Sequence, residues 1–242
     1  MSALADFGPR DCPGTRPLEG HVVRVEPIVD DRHFDALFAA FAEDSTGGIF
    51  DHLPYGPFAD RAAFRAWAEA TYLADDIRFH AILPSAAGRA EGVAALMRTD
   101  TANGVTEIGH ICLAPSLQRS RAASEAFYLI MERVFDELGY RRLEWKCDDR
   151  NQPSKRAAER LGFVYEGLFR QHMIVKGRNR DTAWYAIVDR DWPRVRSGFE
   201  AWLAPENFDT EGRQRRALAP VRESLAARQQ GEAVIIPAPE RS

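Results

Sequence analysis

The stretch "VTEIGHICLAPSLQRSRAASEAFYLIMERVFDELG", Val105 to Gly139, decides how the rest of the chain is read. Its first ten residues, Val105–Ala114, read as a strand. Phe127, Ile130, Val134 and Leu138 recur at three and four, which predicts an amphipathic helix from about Ala123 to Leu138, with Gly139 as its stop. Between the two lies "LQRSRAASEA", Leu117 to Ala126, a short connection with two arginines, two serines and no glycine.

Upstream, "HVVRVEP" (21–27) reads as a strand, and "DRHFDALFAAFAED" (31–44) and "DRAAFRAWAEATYLA" (60–74) read as helices joined by the aromatic loop "IFDHLPYGPF" (49–58). "RFHAILP" (78–84) and "AEGVAALMRTD" (90–100) are two further strands, and Asn103-Gly104 is a hairpin signal before Val105. Downstream, "RRLEWKCD" (141–148) alternates Leu143, Trp145 and Cys147 against Glu144 and Lys146, a strand with two unlike faces. "NQPSKRAAERLGF" (151–163) is a short helix with Asn151 as cap, Pro153 in the first turn and Gly162 as stop. "VYEGLFRQHMIV" (164–175) and "DTAWYAIVD" (181–189), joined by the turn "KGRNR", form a closing hairpin. This order predicts an α/β chain with a mixed sheet and helices on its faces. Residues 1–20 are expected to be a poorly ordered arm, 21–191 the folded domain, and 192–242 a C-terminal helix with a loosely attached helix and tail beyond Glu206.

Composition narrows the function classes. The chain has 242 residues, 45% hydrophobic and 28% charged, which suits one substantial soluble core. A formal net charge of −4 gives no footprint for nucleic acid. No apolar run is long enough for a membrane span, and "MSALADFGPRDCPGTRP" lacks a signal-peptide pattern, so the cytoplasm is the expected compartment. Cys12, Cys112 and Cys147 have neither metal-like spacing nor an even count, so neither a metal site nor a disulfide framework is expected.

The connection at 117–126, the capped helix at 151–163, the hairpin "KGRNRDTAWYAIVDRDW" and the element order together resemble the GNAT acyltransferase superfamily, and within it the branch of the RimJ/RimL-type ribosomal-protein N-terminal acetyltransferases, over roughly His21 to Asp191. The resemblance implies the GNAT fold: a central mixed, mostly antiparallel sheet flanked by helices, here with a C-terminal helical extension. It also implies acetyl-CoA as co-substrate, a primary amine as acceptor, and no metal. Three departures stand out: Arg121 replaces the family loop's central glycine, Ala158 the tyrosine many members carry, and Met173 the RimL-type glutamate base.

From the resemblance, Gln118, Arg119, Ser120, Arg121, Ala122 and Ala123 are expected to wrap the CoA pyrophosphate with backbone N–H groups at a helix N-terminus. Arg119 and Arg121 would add charge-assisted bonds; the alternative is that they are solvated charges. Backbone groups of Ile111, Cys112 and Leu113 would bind pantetheine and polarise the thioester, and Asn151 would contact the pantetheine arm or cap its helix.

An acceptor amine with a pKa near ~10 is about 0.1% free base at neutral pH, a handicap of roughly 4 kcal/mol, so transfer calls for a base or a water relay. Glu107, whose place eleven residues before Gln118 resembles that of the catalytic acid in the histone-acetyltransferase branch, is the leading base, or else a half-exposed strand residue orienting backbone or pairing with an arginine. His110, three residues on, is expected on the opposite face by strand alternation. Ser154 is the general acid for the departing thiolate, or a helix-start serine bonding backbone. Cys112 is expected to be an inert buried thiol rather than an acyl carrier. Phe50, Asp51, His52, Tyr55, His110 and His172 are the acceptor-side candidates, with Trp67 and Tyr72 beside them; hydrophobic packing of a helix connection is the alternative for the aromatics.

The reading is an N-acetyltransferase working by direct attack in a ternary complex, on a small-molecule amine or a peptide N-terminus. Its rivals are a catalytically weak acyl-CoA sensor and a chain whose last ~50 residues dock it in a complex. A homodimer through an exposed sheet edge stays open.

Overall fold

In the computed structural model, residues 7–232 are described; residues 1–6 and 233–242, parts of the expected arm and tail, lie outside them. The strands are β1 (Leu18–Glu19), β2 (Val23–Pro27), β3 (Arg78–Pro84), β4 (Gly92–Asp100), β5 (Val105–Leu113), β6 (Arg142–Asp148), β7 (Val164–Val175) and β8 (Arg178–Val188). They form one sheet in the order β1-β2-β3-β4-β5-β6-β8-β7, antiparallel throughout except for the β5–β6 pair. The helices are α1 (Phe34–Phe41), α2 (Arg61–Tyr72), α3 (Arg121–Glu132), α4 (Gln152–Leu161), α5 (Trp192–Leu203) and α6 (Leu218–Glu232).

Local chemistry sets the helix ends. The Asp60 carboxylate accepts from Ala63 N–H at 2.8 Å to start α2. The Asn151 side chain accepts from Ser154 N–H at 3.0 Å to start α4, with Pro153 in the first turn. Gly162 closes α4 at φ +108°, a left-handed conformation that a side chain would disfavour.

Alternation along the strands divides the apolar side chains into two cores. On one face, Val25, Ile82, Leu96, Ile108, Leu143 and Tyr185 pack beneath α3, α4, α5 and α6. On the other, Phe79, Ala81, Val93, Ala95 and Cys112 pack beneath α1 and α2. The second core ends at β5, so α1 and α2 leave the same face of β6, β8 and β7 uncovered.

Two expectations need correction. The arm is fastened from Phe7 on: Arg10 N–H donates to Thr101 O at 2.9 Å, the Tyr140 hydroxyl donates to Asp11 O at 2.9 Å, and Leu18 enters the core. The segment after Glu206 is not loose either, since Leu218 and Val221 of α6 are buried in the first core and Arg222 donates to Arg160 O at 2.9 Å. Burying two such side chains contributes about 3–6 kcal/mol before ordering costs, enough to hold a short helix down. The sequence signal for this was weak because α6 has few apolar residues, spent at its first turns.

Candidate active site

A cavity of about 630 Å³ opens where β5 and β6 part. Their parallel pairing ends at Glu107 opposite Glu144, although β5 runs on to Leu113 and β6 to Asp148. The cavity therefore passes through the sheet. One mouth lies toward α3 and α4, lined by Phe127, Trp145, Ser154 and Ala157; the other lies toward the α1–α2 connection, lined by His52, Leu53, Glu107 and His110.

Broken alternation shapes this opening. Ala95 faces Gly109 while Val93 faces Cys112, three steps on β5 against two on β4, so a bulge falls at His110, whose φ is +48°. A second bulge on β4 centres on Arg98, also at φ +48°, and a third on β7 centres on Gln171, at φ +49°. Positive φ in non-glycine residues costs about 1–3 kcal/mol each and gathers at functional sites. Gly109 fits the same geometry: a Cβ there would stand 2.8 Å from Met97 Sδ and 3.3 Å from Glu107 Oε1.

The first bulge overturns the expectation for His110. One extra residue shifts the parity, and the imidazole lies on the same face as Glu107, stacked on Tyr55 at 5.7 Å with the planes 6° apart. Burial lowers its pKa, Glu107 pulls the other way, and Arg98 and Arg180 push it down again, so the ring is neutral at neutral pH. Its Nδ1 is buried without a partner. The third bulge turns His172 inward, where its Nδ1 meets Thr182 Oγ1 at 2.9 Å.

Glu107 is buried, with both of its cations on one oxygen: Arg98 Nη1 at 2.7 Å and Lys146 Nζ at 2.8 Å, each on Oε2. Oε1 has no side-chain donor among the described residues and faces the cavity beside Gly109. The pairing with an arginine that the sequence offered as the alternative is therefore formed, while Oε1 is left without a side-chain donor among the described residues.

Ser154 Oγ accepts from Trp145 Nε1 at 3.0 Å, which leaves its own proton to donate. Capping falls to Asn151, not to the Ser154 hydroxyl. Burial raises the pKa of Cys147, beside Ser154, while the serine hydroxyl works the other way. Ala158, one turn after Ser154, is fully buried in the core, so within α4 the hydroxyl facing the cavity is that of Ser154. Burial pushes the Cys112 thiol far up, which suits an inert side chain.

On the α3 side, Ile111, Cys112, Leu113, Gln118, Arg119 and Asn151 all line the cavity. Arg119 has φ +57°, the conformation that a glycine would supply to such a loop. Ser120 caps α3, accepting from Ala123 N–H at 3.0 Å, and Ala122 and Ala123 are buried in its first turn. Arg121 is the exception. Its guanidinium points away from the cavity, donates from Nη2 to Leu203 O at 2.7 Å and lies 4.0 Å over the Phe208 ring. The carbonyl at the end of α5 offers it a fixed acceptor, so the side chain is engaged outside the cavity and not beside the start of α3 as expected.

Three acceptor-side candidates fall outside the cavity. Phe50 is buried in the second core, where the sequence alternative of simple packing placed it; Asp51 is exposed; Tyr55 stands behind His110. Trp67 packs on Tyr55 at 4.2 Å and Tyr72 is fully buried, so both are core aromatics rather than lining. Five charged residues that the sequence did not single out also line it: Asp44, Arg98, Lys146, Asp148 and Arg180. Alternation in "RRLEWKCD" could have found Lys146 and Asp148, which share a face. Arg98 was hidden by a bulge, and Arg180 by being read as part of a turn when it already belongs to β8.

Comparison with known proteins fits this geometry. Residues 23–164 match the acetyltransferase (GNAT) domain family. A crystal structure of a GCN5-related N-acetyltransferase from Brucella melitensis superposes with a TM-score of 0.88 at 48% identity, covering 91% of this chain and 100% of that one. Two curated proteins of Bacillus subtilis are similar over shorter stretches. The uncharacterized N-acetyltransferase YnaD is 36% identical over 87 residues, 36% of this chain and 50% of its own length. The putative ribosomal N-acetyltransferase YdaF is 28% identical over 101 residues, 42% of this chain and 55% of its own. The chain thus spans about half the length of the curated relatives it matches.

Proposed function

The chain belongs to the GNAT acetyltransferase family, and from that premise we propose that it transfers the acetyl group of acetyl-CoA to a primary amine by direct attack in a ternary complex. The observation that carries the reading is the cavity through the sheet: it gives a thioester arriving from the α3–α4 side and an amine arriving from the α1–α2 side one place to meet.

The roles follow from the atoms available. The N–H groups at the start of α3, with Arg119, hold the pyrophosphate, since a helix N-terminus favours an anion. The unpaired edge of β5 beyond Glu107 offers backbone groups of Ile111, Cys112 and Leu113 to the pantetheine and to the thioester carbonyl. Glu107 takes the ammonium proton at Oε1, directly or through a water, while Arg98 and Lys146 fix its other oxygen. The freed amine attacks the carbonyl carbon, the carbon–sulfur bond breaks as Ser154 gives its proton to the departing thiolate, and the proton shed by the attacking nitrogen as the neutral amide forms restores the serine hydroxyl, directly or through water. His52, His110 and His172 line the acceptor mouth.

The similarity to YdaF supports placement near the ribosomal-protein acetyltransferase branch. Among the described residues no helix is long and apolar enough to cross a membrane, which fits a cytoplasmic enzyme. The test is calorimetric titration with acetyl-CoA, followed by an amine panel read by thiol release. One-to-one binding with amine-dependent release is expected. Binding without release for any amine would favour the acyl-CoA sensor, and no binding would end both readings.

A further inference from the structure

The charged groups that line the cavity differ in how they are held. Asp44 accepts from the Thr46 hydroxyl at 2.6 Å and from Ile49 N–H at 2.9 Å. Asp148 is held by both arms of Arg150, at 3.0 and 2.7 Å. Glu107 has Arg98 and Lys146, and Lys146 also meets Glu144 at 2.7 Å. Every carboxylate lining the cavity is therefore engaged. Among the cations, Arg119 belongs to the α3 loop. Arg180 has no carboxylate within 4 Å among the described residues, and its Nε is buried with no acceptor.

Its surroundings make this unusual. Arg180 is the third residue of β8, on the face that α1 and α2 leave uncovered, beside Thr182 and paired in register with Met173. The charged and titratable groups that face it are Glu107, Asp148, Arg98, Cys147 and the neutral imidazole of His110. A partly buried guanidinium without its hydrogen bonds is costly, and a planar fork of donors is matched by a carboxylate. His110 and Arg180 flank the acceptor mouth that receives the amine at Glu107.

We propose that the acceptor is a small amino carboxylate, such as a free amino acid, whose carboxylate binds Arg180 while its amine lies at Glu107. The inference rests on the acetyl-transfer reading above and adds the chemical class of the acceptor. An unblocked peptide N-terminus offers no carboxylate beside its amine, so Arg180 discriminates between the two acceptor classes.

The test pairs each amino acid with its decarboxylated amine, for example phenylalanine with phenethylamine, and adds a short peptide with an acidic N-terminal residue. Wild type, Arg180→Gln and Arg180→Lys are compared by thiol release and by calorimetry on the protein–CoA complex. For wild type, kcat/KM at least tenfold higher for the amino carboxylates is expected. Arg180→Gln should abolish that preference through KM, Arg180→Lys should restore part of it, and acetyl-CoA affinity should stay within twofold in both. Equal use of the decarboxylated amines, preference for the peptide, or a preference that survives Arg180→Gln would overturn the proposal. If acetyl-CoA binds but no amine releases thiol, the transfer reading fails, and the carboxylate site is judged by calorimetry alone. Amino-carboxylate binding lost in Arg180→Gln would support it, and no binding would sink it.

Discussion

Arg121→Ala separates two roles that the sequence alone left joined. If the guanidinium served the CoA phosphates, its removal would weaken the cofactor and leave the fold alone. The structure places it elsewhere, donating to Leu203 O at the end of α5 and lying over Phe208. A hydrogen bond from a charged donor contributes about 1.5–3 kcal/mol, and a cation over an aromatic ring about 0.5–2 kcal/mol. Against this stand the buried Nε without an acceptor and the regained side-chain freedom, about 2.5 kcal/mol together at the low end of both ranges. The net loss is about 1 kcal/mol, and at roughly 2–4 °C per kcal/mol for a chain of this size the midpoint should fall by about 2–4 °C. Acetyl-CoA affinity should change by less than about threefold, whereas losing a charged phosphate contact would cost at least about tenfold. Thermal unfolding by circular dichroism and calorimetric titration of the same preparations give both quantities. Arg119→Ala should behave inversely, weakening acetyl-CoA with the midpoint unchanged. An Arg121→Ala protein of unaltered midpoint and tenfold weaker acetyl-CoA binding would refute the reasoning.

Ser154→Ala should lower kcat by about 10²-fold with acetyl-CoA affinity within twofold. A change in affinity with kcat intact would assign the serine to binding. Glu107→Gln should cost about 10²-fold or more in kcat/KM with acetyl-CoA affinity within twofold. An unchanged kcat/KM would remove Glu107 as base. His80 is fully buried and burial lowers its pKa to about 4, so it folds neutral. The unfolded chain, titrating near ~6.5, binds the proton first. Stability is therefore full above ~6.5 and is lost as the pH falls toward 4, by about 3 kcal/mol. Urea midpoints at pH 7 and pH 4.5 should converge in His80→Gln relative to wild type, and identical pH slopes in the two proteins would contradict the assignment.

Much of this molecule is legible in its sequence because most residues obey local rules. Asn151, Pro153 and Gly162 bound α4 as their chemistry requires, and the alternation of Leu143, Trp145 and Cys147 puts these residues in the core beneath α3 and α4. Glu107 and Ser154 are singled out through the family resemblance, and both line the cavity. What escapes is whatever depends on an interruption of the period. The bulges on β4 and β5 each add one residue and invert the later assignment of faces along the strand, while the one at Gln171 on β7 adds two. His110 was sent to the wrong face for that reason, and Arg98 went unremarked. Arg121 escapes differently: its partner, Leu203, lies 82 positions away, and no local pattern joins them.

The same interruptions account for where the charge lies. The chain as a whole carries a formal −4, which by itself suggests no anionic partner. Yet the bulge at Arg98 brings a guanidinium onto Glu107 and the bulge on β7 turns His172 inward. The uncovered face of β8 then adds Arg180, with no carboxylate of its own. Net charge sums over a surface that the acceptor never meets; the acceptor meets a wall whose carboxylates are already taken. The shape and charge of this mouth are therefore set by bulges on three strands, and under the proposal above an acceptor that brings its own carboxylate would pair with Arg180.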